Sequence, residues 1–131
     1  LAYISVGKID AEDKRSVILN KLIKLGFKFP SIISKYSYIS KNVKIGIGTM
    51  VHHGAIINSN VQIGNNCIIN SNSLIEHDVV IGDNCHISTS STINGNVKIF
   101  ENTFIGSGSI VRNNLIIKKN TFIKMGSILK K

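Results

Sequence analysis

Residues 57–81 read INSNVQIGNNCIINSNSLIEHDVVI. Ile57, Ile63, Ile69, Ile75 and Ile81 recur at every sixth position, and Val61, Cys67, Ser73 and Val79 each stand two residues before an anchor. Extended side chains two apart share a face, so each anchor and its smaller companion look into one interior. Three residues after the first four anchors come Asn60, Asn66, Asn72 and Asp78. These residue types tolerate positive φ at little cost, so the chain turns a corner every six residues.

The step of six continues outward in both directions. From Ile33 to Leu129 it meets seventeen anchors, and all seventeen are Ile, Val or Leu. The corner series runs from Asn42 to Gly126, and only Ser90 in it is not Gly, Asn or Asp. Val43, Val61, Val79, Val97 and Leu115 lie 18 apart, so three hexapeptides make one coil. Very short strands, regular corners and an 18-residue coil describe a triangular prism of parallel strands, an all-β parallel β-helix. A sandwich would need strand spacings of about 8 to 12 residues. The unusual pairing of 25 Ile with 15 Asn is thereby explained, Ile largely at anchors and Asn largely at corners.

The composition excludes several classes. A chain of 131 residues with one Pro, no Trp and two Cys is one compact unit with room for a fragment of a second. No apolar run is long enough to span a bilayer, so no membrane partner is expected. Without a charged leader and cleavage site, a cytoplasmic location is expected. Two Cys without a CxxC pair exclude a disulfide scaffold and argue against structural zinc. Cys67 and Cys85 differ by 18 at inward positions, so they are expected to stack as small hydrophobes in adjacent coils.

Residues 1–30 read differently from residues 31–131. Leu1 to Val6 suits a buried strand ended by Gly7. Asp10 is placed to cap a helix with Glu12 and Asp13 in its first turn, Ile18, Leu22 and Leu25 on one face, and Gly26 as its stop. This strand and helix form either the remnant of an N-terminal α/β domain or a cap on the open end of the prism, with Phe27 to Ser37 leading into the first coil.

A regular prism needs no His at a corner, so departures from the repeat mark candidate chemistry. Glu76, His77 and Asp78 follow one anchor, and 18 residues on from His77 stands Gly95. The missing side chain there is expected to leave room beside the imidazole for a substrate. A neutral imidazole suits general-base work, a neighbouring carboxylate can fix its tautomer, and an exposed N–H near Gly95 can stabilise an oxyanion. Turn chemistry alone also accounts for Asp78, and solvation for Glu76. His86 precedes an anchor and is expected to point outward from a flat face, exposed or at an interface, while His52 and His53 read as surface residues. The gaps of 24 and 9 between His53, His77 and His86 do not suit convergent zinc ligands, so no metal is expected.

The net charge of +9 is uneven, because no Lys or Arg occurs between Ile45 and Val97, whereas Lys98, Arg112, Lys118, Lys119, Lys124, Lys130 and Lys131 crowd the last coils. Such a basic end beside a near-neutral site suits a phosphate-bearing ligand, or serves simply as solubilising charge. Nucleic acid is not expected, since interleaved aromatics and known binding modules are lacking.

Ser73-Leu74-Ile75-Glu76-His77-Asp78-Val79-Val80-Ile81-Gly82, followed by His86-Ile87-Ser88 and Gly95-Asn96-Val97-Lys98-Ile99, resembles the hexapeptide-repeat acyltransferases, in particular the sialic acid O-acetyltransferase and bacillosamine-type amino-sugar N-acetyltransferase family. The resemblance implies a left-handed helix, a hand that periodicity alone does not specify. It implies an acetyl-CoA-dependent acetyltransferase acting on a sugar amine or hydroxyl in surface-glycan biosynthesis. His77 would be the general base, oriented by Asp78 or Glu76; Gly95 would present an N–H to the acetyl carbonyl, and Asn70 and His86 would line the cofactor site. It implies a homotrimer with CoA between neighbouring prisms, covering Ile47, Ile56 and Ile68. The residues 1–30 would belong to a sugar-nucleotide domain. The sequence departs from the family pattern where Ser34-Lys35 replaces a His-Pro and beyond Leu129, where a closing motif is lacking. A non-catalytic trimerisation module or degenerate acyltransferase is the alternative reading.

Overall fold

The structure, a computed structural model, describes residues 1–7 and 14–130. Seventeen two-residue strands, β1 (Ile32–Ile33) to β17 (Ile128–Leu129), follow one helix, α1 (Lys14–Lys24). The second residue of every strand is one of the seventeen anchors. Each strand pairs in parallel with the strand three further along, so β1-β4-β7-β10-β13-β16 form sheet A, β2 to β17 in the same step form sheet B, and β3 to β15 form sheet C. The register is always 18 residues, as in Ile69 beside Ile87 and Ile75 beside Ile93. These three sheets are the sides of a left-handed β-helix.

The interior is built by the anchors and their companions. Ile57, Ile69, Ile75, Ile87, Ile93 and Ile105 are fully buried in one continuous core. Each such side chain contributes about 1.5–3 kcal/mol of burial. Polar companions occupy the same column without leaving a buried donor open. Thr49, Ser91, Thr103 and Ser109 each donate to the carbonyl fifteen residues on, and the thiols of Cys67 and Cys85 reach the Gly82 and Phe100 carbonyls in the same way, at 3.1 and 3.2 Å. The cysteines are free and buried, as their inward positions require.

The corners take the left-handed conformation at every expected position except Asn42. Ser90 adopts it too, with φ 56°. Asn side chains stack along the corners, Asn66 donating to Asn84 at 2.8 Å and Asn96 to Asn114 at 2.9 Å.

The N-terminal segment departs from its sequence reading. Residues 1–7 form no strand: the Ala2 N–H donates to the Lys28 carbonyl at 3.0 Å, and no ladder of backbone hydrogen bonds follows it among the described residues. The helix exists as Lys14–Lys24 with Gly26 just past its end at φ 81°, but the Asp10 cap and the first-turn Glu12 and Asp13 lie outside the described residues. Leu25 is exposed; Leu19 is the buried apolar residue of the helix and packs with Ile4 and Phe29, with Ile18 and Leu22 at the margin. The helix is fastened to the side of the prism by Arg15, whose guanidinium donates to the Ile4 and Val6 carbonyls and to Asn66 Oδ1. Asn66 sits at the corner between sheets C and A, so α1 is tied to that corner.

Candidate functional site

Glu76, His77 and Asp78 follow β8 (Leu74–Ile75) at the corner where sheet B passes to sheet C. Asp78 has φ 59° and occupies a slot that Asn fills in neighbouring coils. From the coil before, Asn60 Nδ2 donates to Asp78 Oδ1 at 3.1 Å. A carboxylate has nothing to donate to the next coil, so the amide ladder stops here. The second oxygen, Oδ2, lies 2.8 Å from His77 Nδ1. Both side chains are about half exposed, 57% and 51%.

The hydrogen bond to His77 comes first, and that from Asn60 second, in holding the Asp78 carboxyl below the usual aspartate range. An ionised Asp78 accepts the Nδ1 proton, which leaves Nε2 of a neutral His77 as the proton acceptor. Glu76 faces another way, its Oε2 accepting from Asn58 Nδ2 at 2.9 Å. Of the two carboxylates suggested by the sequence, Asp78 is the one bonded to the imidazole.

Gly95 lies one coil on, and a Cβ built there would come within 2.8 Å of His77 Cε1 and Nε2. The space expected for a substrate beside the imidazole is therefore filled by the imidazole itself. The ring is seated on glycine backbone, and its exposed side is the approach that remains. The Gly95 N–H has no hydrogen-bond partner among the described residues.

Asn70 and His86 come together at another place. His86 lies in β10 (His86–Ile87) of sheet A, and Asn70 follows β7 (Ile68–Ile69) of the same sheet. Asn70 Nδ2 is 3.4 Å from His86 Nε2. Contrary to the expectation of exposure, His86 is 6% exposed, because its ring meets Phe104 edge-on at 5.2 Å and Phe104 stacks on Phe122 at 4.8 Å. Ile68 is likewise buried, while Ile47 and Ile56 are exposed as expected. Within one chain, the width of sheet B separates the Asn70 corner from the His77 corner.

His52 is half-buried, and burial followed by repulsion from His53 lowers its basicity; His53 lies against Tyr36 with ring centroids 5.5 Å apart. No three His, Cys, Asp or Glu side chains converge among the described residues. No helix among them is long and apolar enough to cross a membrane.

A column of glycines lies beside the anchors. Gly46, Gly64 and Gly82 stand 18 apart, each directly after an anchor, and a Cβ at Gly64 or Gly82 would strike the backbone of the next coil at 2.7 Å. This spacing was available in the sequence as a recurrent anchor-Gly pair.

Residues 60–95 match the bacterial transferase hexapeptide family (six repeats). No curated protein sequence matches the chain. Among solved structures, the chain is similar to perosamine N-acetyltransferase from Caulobacter crescentus, in complex with CoA and GDP-perosamine, with 28% identity and a TM-score of 0.88 over 89% of this chain and 56% of that one. The acetyltransferase domain of PglB from Neisseria gonorrhoeae is 26% identical with a TM-score of 0.85, covering 88% of this chain and 57% of that one. WeeI from Acinetobacter baumannii is 30% identical with a TM-score of 0.81, covering 88% and 59%. The chain thus spans under three-fifths of the length of these proteins. The resemblance to hexapeptide-repeat acyltransferases read from the sequence is borne out by these matches.

Proposed function

We propose that this hexapeptide-repeat β-helix is an acetyl-CoA-dependent acetyltransferase acting on the amine of a nucleotide-linked amino sugar, in surface-glycan biosynthesis. The observation that carries the reading is the seating of His77 on Gly95 with Nδ1 held by Asp78. Support comes from the similarity to sugar N-acetyltransferases, one of them holding CoA and GDP-perosamine and one, a PglB domain, holding acetyl-CoA.

In this mechanism His77 Nε2 removes a proton from the acceptor nitrogen as that nitrogen attacks the thioester carbonyl. Negative charge gathers on the carbonyl oxygen, which the unpaired Gly95 N–H stabilises. The C–S bond breaks as the intermediate collapses. His77 returns its proton to the departing thiolate, giving free CoA and the acetamido sugar. Asp78 keeps the imidazole in the required tautomer and stabilises the imidazolium. Asn70 and His86 line the path of CoA, and Glu76 braces the turn through Asn58.

A single prism holds His77 and the Asn70 and His86 pair at separate corners, so one site draws on two chains of a homotrimer. Acetyl-CoA turnover with nucleotide-linked amino sugars tests the reading, with His77→Ala expected to lower kcat by about 10²–10⁴-fold. Turnover that survives this substitution removes His77 as the base. If neither turnover nor thermal stabilisation by CoA is found, the non-catalytic module is the better account.

A further inference from the structure

The outer face of sheet A changes character along the prism. On β7 and β10 its outward residues, Ile68 and His86, are buried. On the next two strands, β13 (Phe104–Ile105) and β16 (Phe122–Ile123), it carries two phenylalanines, and Phe122 is 46% exposed. Two further apolar side chains flank these at the corners. Phe100, 48% exposed, follows β12 (Lys98–Ile99) where sheet C passes to sheet A, in the column that holds Gly46, Gly64 and Gly82 in earlier coils. Met125, 80% exposed, follows β16 where sheet A passes to sheet B. Single exposed apolar side chains are ordinary, whereas a group of them at one end of one face marks an interaction surface.

Lysines bracket this patch. Lys118, one coil on from Phe100, and Lys119 stand at the same corner after β15 (Ile116–Ile117), and Lys124 precedes Met125 at the other. All three are exposed, and none forms an ion pair or side-chain hydrogen bond among the described residues. Glu101, in the column of Lys119, is the one Asp or Glu after Asp83, so the patch is net positive. Lysine is a flexible point charge that follows a diffuse anionic surface, whereas the planar fork of Arg grips a fixed phosphate. The rings are a poor platform for successive bases. Phe104 and Phe122 stack on each other at 4.8 Å and 9°, and His86 meets Phe104 edge-on, so the outer side of Phe122 is what remains for stacking. Apolar side chains rimmed by flexible ammonium groups suit a headgroup layer, the apolar parts entering it and the cations staying at the level of the phosphates.

We propose that the sheet A face of the last two coils, Phe100, Phe122 and Met125 with Lys118, Lys119 and Lys124, docks peripherally on an anionic lipid surface. Such docking needs no membrane-spanning segment, the feature on which the expectation of no membrane partner rested. The face lies away from the His77 corner between sheets B and C, so the proposal is independent of the acetyl-transfer reading.

The experiment co-sediments the chain with vesicles of phosphatidylcholine alone and of equal parts phosphatidylcholine and phosphatidylglycerol, at about 0.15 M and about 1 M salt. The chain is expected to bind the anionic vesicles at the lower salt and not the neutral ones. Lys118→Gln, Lys119→Gln and Lys124→Gln together are expected to weaken that binding at least about tenfold, since each lysine near such a surface contributes about fivefold. Lys41→Gln, Lys44→Gln and Lys98→Gln remove the same charge elsewhere on the prism and are expected to cause a smaller loss. Phe100→Ser with Met125→Ser is expected to weaken binding at unchanged charge. All the substituted side chains are exposed, so each variant is expected to keep the original thermal midpoint. Absence of binding to anionic vesicles overturns the proposal. Equal losses in the two lysine triples would assign the attraction to net charge, and full binding by the Phe100 and Met125 variant would assign it to charge without insertion; either result rejects the docking face. Release of the bound chain by acetyl-CoA would give the lysines to CoA, whose proposed path adjoins the patch through His86 and Phe104. Tighter lysine-dependent binding to a single-stranded oligonucleotide than to vesicles would give them to nucleic acid. A lower mass of the patch variants in light scattering would give the face to contact between copies, and each of these three outcomes also overturns the proposal.

Discussion

At His77 the decisive neighbour is a residue without a side chain. Gly95 does not have a positive φ, so alanine fits its backbone. The three atoms nearest its Cβ would all belong to the imidazole, a half-exposed side chain that can shift where backbone cannot. Gly95→Ala is therefore expected to leave the thermal midpoint nearly unchanged while lowering kcat about 100-fold, since a shift of about 1 Å in a reacting group has that effect. A fall in stability with unchanged kcat would show that the glycine serves packing alone. The bond between His77 and Asp78 also has a definite pH sense. Because Asp78 is lowered in the folded chain, its contribution is fully present above the pKa of an unfolded aspartate and fades as pH falls through the folded value. Asp78 thus stays charged throughout the neutral range in which a histidine titrates. The sequence made the EHD turn and the 18-residue partner legible, yet the choice between Glu76 and Asp78 was not, because both adjoin His77 and only side-chain direction separates them.

At the scale of a coil, the glycine column sets how closely backbones approach at the corner between sheets C and A. Gly64 differs from Gly95 in what it faces. A Cβ there meets the Asp83 backbone N at 2.7 Å and the Gly82 carbonyl carbon at 2.8 Å, neither of which has a rotamer to change. Gly64→Ala is expected to destabilise the fold by about 1–3 kcal/mol, read as a lower thermal midpoint. Retention of the original midpoint would mean that the coils separate easily at this corner. Strand placement was fully legible because a two-residue strand with an inward second position allows one register only. Residues 1–7 are neither a strand nor buried apart from Ile4, because apolar composition supplies neither a continuous backbone partner nor a surface to pack on. Leu25 and His86 were misplaced for a related reason. Whether an outward side chain reaches solvent depends on what packs over it, and for His86 that is a ring carried by the next coil.

For the whole molecule, the three outer faces differ. Sheet B shows Tyr38, Ile56, Leu74, Thr92, Ile110 and Ile128 along its outer ladder, whereas sheet C shows Lys44, Gln62, Val80, Lys98 and Ile116. Sheet B also lies between the two corners that carry candidate site residues. If prisms associate through it, light scattering should give a mass near three times the 14.3 kDa chain. Ile56→Lys combined with Ile110→Lys should reduce that mass to one chain, with Ile116→Lys on sheet C as the control that does not. A monomeric original chain would contradict a site shared between protomers.

The sequence by itself determined the number, positions and facing of the strands, the coil length, the corners and the pairing of His77 with Gly95. It could do so because every one of these contacts joins positions separated by a constant 18 residues, which makes a solenoid nearly one-dimensional. Only the tertiary structure decided what the constant period leaves free: that the imidazole rests on Gly95, that Asp78 is the carboxylate turned toward it, that Asn70 and His86 meet at a different corner, and that the helix is tied to the prism through Arg15. Those features depend on side-chain direction and on contacts between segments with no shared period, and no spacing along the chain records them.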